Sequence, residues 1–211
     1  MNKRTYSLHV VTFLTVVRIP LVLAFFVSAL VNSVRPPGGS WLFAVALVSL
    51  ILSAATDLVD GWLARKLNVT SQFGAHADPF CDKVFYLAAL PLLVFLASRN
   101  GHTVHSVVLL FFTLFFLLRD QWISFLRAIG SPHGISPAAN WSGKARTLLS
   151  FPLVCLIYLV EESGLFAEVP SFIYVLETLG FAINLVSIYV YTIRFWPALR
   201  KSAGFDAAPP N

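Results

Sequence analysis

The chain has 211 residues, 57% of them hydrophobic and only 12% charged, with a mean hydropathy of +0.77 and a formal net charge of +5. An ordinary soluble domain carries roughly 25% charged residues, so a water-soluble globular domain is excluded and an integral membrane protein is expected. The two cysteines, Cys81 and Cys155, lie far apart and neither has metal-ligand spacing to another Cys or His. That pattern excludes a disulfide framework or a thiolate metal centre and makes both core residues.

A membrane-crossing helix needs about 20 apolar residues. Runs of that length fall at roughly 8–31, 41–64, 76–98, 104–127, 142–162 and 171–195, which predicts an all-α bundle of six transmembrane helices. The first run is of spanning length and lacks a small-residue cleavage site, so it is expected to stay as the first span rather than be removed as a signal peptide. One domain over 1–200 is expected, followed by a disordered cytoplasmic tail over 201–211.

Lys and Arg set the orientation, because cytoplasmic segments carry their excess. Lys3, Arg4, Arg65, Lys66, Arg127, Lys144, Arg146, Arg194, Arg200 and Lys201 all fall on one side if both termini are inside, whereas the other side has Arg35, Arg99 and the acidic Glu161, Glu162 and Glu168. Both termini are therefore expected to be cytoplasmic in a multi-pass protein of the inner (plasma) membrane. The basic surplus is accounted for by topology and by anionic headgroups, and no nucleic-acid partner is expected.

Within the first span, Arg18 needs a partner or a snorkelling route; an acidic neighbour in the bundle and a ligand phosphate are both open. The second and third spans hold the most informative feature. Asp57, Asp60, Asp78 and Asp82 fall within 26 residues, and residues three or four apart share a helix face. Asp57, Asp60, Gly61 and Ala64 thus form one stripe, continued by Arg65, and Asp78 with Asp82 forms a second that faces it at the cytoplasmic end. Carboxylates gathered in a low-dielectric region repel one another and take up protons unless cations neutralise them. Oxygen-only ligation favours Mg²⁺ or Mn²⁺, with Ca²⁺ also open, over zinc, and a pair of ions suits in-line displacement at phosphorus. Gly61 and Ala64 leave room for a bulky group, and Arg65 offers a planar fork to phosphate oxygens; a diphosphate fits there. The five histidines are scattered and none is assigned a ligand role.

The string Asp57-x-x-Asp60-Gly61-x-x-Ala64-Arg65, eight residues, then Gly74-x-x-x-Asp78-x-x-x-Asp82 resembles the signature of the CDP-alcohol phosphatidyltransferase family at every fixed position. The resemblance implies a six-helix, usually dimeric membrane enzyme in which the hydroxyl of an acceptor alcohol displaces CMP from a CDP-linked lipid. It implies that Asp57, Asp60, Asp78 and Asp82 hold two divalent ions and that Asp60, Gly61, Ala64, Arg65 and Gly74 border the cytidine diphosphate. Asp82 is the implied general base on the acceptor hydroxyl; a purely ligating role, with the metal acidifying the hydroxyl, stays open. Leu14-Thr15-x-x-Arg18 resembles the family's opening helix, although Val11-Thr12 stands where the family usually has Pro-Asn.

The acceptor is a matter for the fourth and fifth spans. Arg119 and Arg127 in one, with Lys144 and Arg146 in the other, supply four cations on the cytoplasmic side, more than a neutral alcohol needs. An acceptor that carries its own phosphate accounts for them. Plainer roles are also open: a pair with Asp120 or a lipid-phosphate contact for Arg119, a helix-end anchor for Arg127, topology markers for Lys144 and Arg146. Arg119-Asp120, Ser142-Gly143-Lys144-Ala145-Arg146-Thr147 and Asp78-Pro79-x-x-Asp82-Lys83 resemble the phosphatidylglycerophosphate synthase branch of the family, with Asp120 in place of Glu and Arg146 in place of Lys. That resemblance implies CDP-diacylglycerol and sn-glycerol 3-phosphate as substrates. Alternatives are another transferase of the family, such as a cardiolipin synthase or an enzyme with an inositol-phosphate acceptor, and more remotely a divalent-cation transporter, which would have no use for Arg65 beside its ligands.

Overall fold

Six α-helices make up the computed structural model, which describes residues 3–35, 41–67, 72–135 and 141–205; side chains are described at all of these except 3–11, 58, 60–65, 67, 72–76, 78 and 144. The helices are α1 (Lys3–Ser33), α2 (Trp41–Leu67), α3 (Gln72–Arg99), α4 (Thr103–Gly130), α5 (Trp141–Glu162) and α6 (Ser171–Ser202), with a 3-10 turn at Ser131–His133 after α4. No strand occurs among the described residues. Among the described residues five stretches are long and apolar enough to cross a membrane: Thr12–Ser33, Pro79–Arg99, Thr103–His133, Trp141–Glu162 and Ser171–Ser202. In α2 the apolar stretch among the described residues is shorter, Trp41–Asp57. The protein is an all-helical membrane protein.

Prolines stand inside four of the helices: Pro20, Pro79 and Pro91, Pro152, and Pro197. Membrane helices tolerate them because neighbouring side chains and local adjustments satisfy the carbonyls that proline leaves unpaired. Two helices end in the same way. After α3, Gly101 takes φ +81°, its N–H meets Ser98 O and the next N–H, of His102, meets Ala97 O; after α6, Gly204 takes φ +79°, with Gly204 N–H on Lys201 O and Phe205 N–H on Arg200 O. Both are glycine-closed caps that use up orphan carbonyls. Helix α6 thus runs to Ser202, into the stretch expected as a tail from residue 201, and its cap extends to Phe205; residues 206–211 lie outside the described residues.

The helices fall into two compact units, Met1–Leu110 with Val154–Pro170, and Phe111–Leu153 with Ser171–Asn211. In the first, α1 packs on α2 and α3. Ala29, Ala46, Ala89 and Ala97 are fully buried, small residues of the kind that let membrane helices approach closely. Phe25 meets the Tyr158 ring edge-on at 5.2 Å and Phe43 stacks on it at 5.8 Å, geometries that aromatic quadrupoles favour. The same unit buries a polar knot. His105 and His102 donate from Nδ1 to the two Glu161 oxygens at 2.6 and 2.9 Å, and Asn100 adds a bond to Oε2 at 3.1 Å. Beside it, Glu162 accepts from Asn32 at 2.7 Å and pairs with Arg99 at 3.5 Å. The sequence suggested only that Glu161 was an acidic residue on the non-cytoplasmic side; the structure buries its carboxylate between two histidines.

In the second unit, Ile123, Leu126, Tyr191 and Phe195 form a cluster, flanked by Trp122, Ile135 and Leu199. Helix α6 comes close to α4 at Gly180, where a Cβ would sit 2.9 Å from Phe112 Cε2. Only glycine leaves that contact unstrained.

Candidate active site

In the first unit, α1 delivers Arg18, α2 Asp57 and α3 Asp82 to one point. Arg18 Nη1 donates to Asp57 Oδ1 at 2.5 Å and to Asp82 Oδ1 at 3.0 Å. Of the two partners left open for Arg18, this is the acidic neighbour. Arg18 is 1% exposed, and a buried guanidinium, which cannot shed its proton, is tolerable only against carboxylates. One turn earlier on α1, Thr15 is also buried, and its carbonyl accepts from the Cys81 thiol at 3.4 Å. That contact, next in sequence to Asp82, ties the start of α3 to α1; Cys81 is buried, as its apolar setting suggested.

Asp57 and Asp82 are two of the four aspartates on which the sequence reading rests. Asp60, Gly61, Ala64 and Arg65 lie on α2 and Gly74 and Asp78 on α3, with side chains outside the described residues. Among the described residues no three or more His, Cys, Asp or Glu gather into a metal-binding group. The convergence of Asp57 and Asp82 fits a hard divalent ion all the same: two carboxylates, from two helices, meet at a single cation, with oxygen donors only.

The second unit holds the other cluster. Arg119 donates from Nη1 to Asp120 Oδ1 at 2.9 Å and reaches the Ser187 hydroxyl of α6 through both Nε and Nη2. Arg146, from α5, donates to the other Asp120 oxygen at 2.8 Å and lies 3.9 Å above the Phe116 ring. Arg127 donates to the Tyr191 hydroxyl at 3.2 Å, and Tyr191 also presents its ring to Arg119 and Arg127 at 5.8 and 5.5 Å. Three of the four expected phosphate-binding cations are thus gathered by one carboxylate and one tyrosine, and the pair of Arg119 with Asp120 is formed. Lys144 is on α5, with its side chain outside the described residues. Among the described residues the cluster holds three arginines and one carboxylate, a basic setting of the kind that suits a phosphate monoester, which carries about −1.5 to −2 at pH 7. Ser187 and Tyr191 escaped the sequence reading. The available signal was their spacing of four on an otherwise apolar helix, which puts them on one face.

The family model for CDP-alcohol phosphatidyltransferase matches residues 8–192. The chain belongs to the CDP-alcohol phosphatidyltransferase family. It is similar to the CDP-diacylglycerol–glycerol-3-phosphate 3-phosphatidyltransferase of Yersinia pestis (strain Pestoides F), 29% identical over 196 residues that cover 92% of this chain and 98% of that one. The protein of that name from Bacillus subtilis (strain 168) is 31% identical over 157 residues, covering 74% of this chain and 75% of its own. That from Haemophilus influenzae is 33% identical over 135 residues, covering 64% and 67%. As a CDP-alcohol phosphatidyltransferase the chain is a membrane transferase of phospholipid biosynthesis, and the family generally uses divalent metals.

Proposed function

We propose that this enzyme transfers the phosphatidyl group of CDP-diacylglycerol to the free hydroxyl of sn-glycerol 3-phosphate, giving phosphatidylglycerol phosphate and CMP. The observation that carries this reading is similarity along 98% of a relative named for that reaction. The arginine cluster of the second unit supports it, because it carries the charge that an acceptor with its own phosphate requires.

Asp57, Asp60, Asp78 and Asp82 would hold the two ions, which would supply charge neutralisation at the diphosphate. Arg65 clamps diphosphate oxygens, and Asp60, Gly61, Ala64 and Gly74 border the cytidine diphosphate. The acceptor hydroxyl attacks the phosphorus that bears the diacylglycerol. Its proton passes to Asp82 as the bond from that phosphorus to the CMP oxygen breaks, and CMP leaves with the electron pair. Arg119, Arg127, Lys144 and Arg146 hold the acceptor's phosphate. The chain crosses the membrane six times with both termini and the site on the cytoplasmic side of the inner membrane, where a water-soluble acceptor meets a lipid donor, and it works as a homodimer.

Release of CMP from CDP-diacylglycerol by detergent-purified protein with Mg²⁺ or Mn²⁺ tests this, with glycerol 3-phosphate, inositol phosphate, phosphatidylglycerol or no acceptor. Release that depends on glycerol 3-phosphate is expected. Release with a different acceptor keeps the transferase and overturns the acceptor assignment.

A further inference from the structure

Arg18 brings a permanent positive charge into the interior of the first unit, and a single nitrogen of it serves both carboxylates, Asp57 Oδ1 at 2.5 Å and Asp82 Oδ1 at 3.0 Å. The guanidinium has five N–H donors arranged as a fork, yet two aspartates from different helices share Nη1. Their negative ends therefore converge on one point, as they would on a bridging cation. Without a positive charge there, two carboxylates so close would repel, and one would take up a proton. The side chains of Asp57 and Asp82 are 17% and 31% exposed, so the carboxylate side of the contact is open to exchange while Arg18 itself is sealed.

We propose that Arg18 is a positioning residue that serves as a built-in counter-cation of the aspartate site: it holds Asp57 and Asp82 together before divalent ions bind, and it competes with those ions for the same carboxylates. This rests on the reading of Asp57 and Asp82 as metal ligands. Loading then replaces one cation by another, so the carboxylates never face each other unneutralised, and the resident charge sets how tightly ions are held. A purely structural clamp would act in the opposite sense, because its loss would disorder the aspartates and weaken ion binding. An arginine that contacts the lipid donor's diphosphate would act on the donor KM and leave ion affinity alone.

The sign of one measurement separates these. Binding of Mn²⁺ to the full-length, detergent-solubilised protein is followed by the electron paramagnetic resonance signal of the free ion, with no turnover, for wild type, Arg18→Gln, Arg18→Lys and Asp57→Asn. Arg18→Gln is expected to bind Mn²⁺ with a Kd lower by about tenfold at the least, because a unit positive charge beside a divalent ion repels it strongly even at an effective dielectric of about 20. Its thermal midpoint is expected below wild type without Mn²⁺, and the gap to close as Mn²⁺ is added. An unchanged or raised Kd overturns the proposal. If Arg18→Gln does not fold, Arg18→Lys decides: its more compact head competes less well for two carboxylates, so its Kd is expected to fall, and an unchanged value overturns the proposal. Wild-type protein that takes up no Mn²⁺, or Asp57→Asn that takes it up as well as wild type, instead refutes the metal site itself and removes the basis of the inference.

Discussion

Arg146 of α5 donates to Asp120 of α4 at 2.8 Å, and both side chains are nearly sealed from solvent. Because Asp120 accepts from Arg119 on its other oxygen, this carboxylate lies between two guanidinium groups. Removing one partner from a buried ionic group leaves uncompensated charge, at a cost of about 3–5 kcal/mol. Asp120→Asn keeps the size and removes the charge, so thermal unfolding in detergent is expected to shift down by several degrees. A midpoint equal to wild type would mean that Asp120 does not neutralise the two arginines.

The stacking of Arg146 on Phe116 at 3.9 Å distinguishes it from a lysine in the same place. A lysine keeps the charge but loses the planar fork and most of the ring contact, which is worth up to about 2 kcal/mol when desolvated. Arg146→Lys is therefore expected to raise the KM for glycerol 3-phosphate about tenfold, since about 1.4 kcal/mol is a factor of ten, with the KM for CDP-diacylglycerol little changed. Equal shifts in both constants would take Arg146 out of the acceptor pocket.

The helices and the aspartate motif were legible in the sequence because each is a local pattern. Apolar runs of spanning length anticipated all six helices, although among the described residues only five stretches meet the length and apolarity needed to cross. The i, i+3 and i, i+4 spacings of the acidic motif needed no tertiary knowledge. What stayed hidden was partnership across helices. Arg18 and Asp57 are 39 residues apart and Arg119 and Ser187 68 apart, and no local period links them. The burial of Glu161 was hidden for the same reason, because only the fold supplies His102 and His105.

The Glu161 carboxylate is wholly buried and accepts from both histidines at once, one on each oxygen. A glutamine offers one acceptor oxygen and turns the other position into a donor, which then faces a histidine N–H. Glu161→Gln is expected to lower stability by about 1–3 kcal/mol, the cost of an unsatisfied buried polar group, with kcat and both KM values unchanged. Thermal unfolding beside steady-state kinetics checks this. Kinetic loss without destabilisation would show that the knot acts on the reaction and not on the fold.

Asp78 stands four residues before Asp82 on α3, and its proposed duty is to hold metal. An asparagine there keeps the shape, gives up a negative charge and one ligating oxygen, and weakens a site whose ions supply several kcal/mol of charge stabilisation during phosphoryl displacement. Turnover is expected to fall by about 10³-fold or more, each 1.36 kcal/mol being a factor of ten. Stability should move the other way. Removing one carboxylate from a crowded acidic site relieves repulsion, and function-bearing sites often cost stability, so Asp78→Asn without added metal is expected to unfold at or above the wild-type midpoint. Added Mg²⁺ or Mn²⁺ should then raise the midpoint of wild type more than that of the variant. A variant that turns over at the wild-type rate would sink the proposal that Asp78 holds metal, and one that is inactive merely because it has unfolded would show a lowered midpoint in the same measurement.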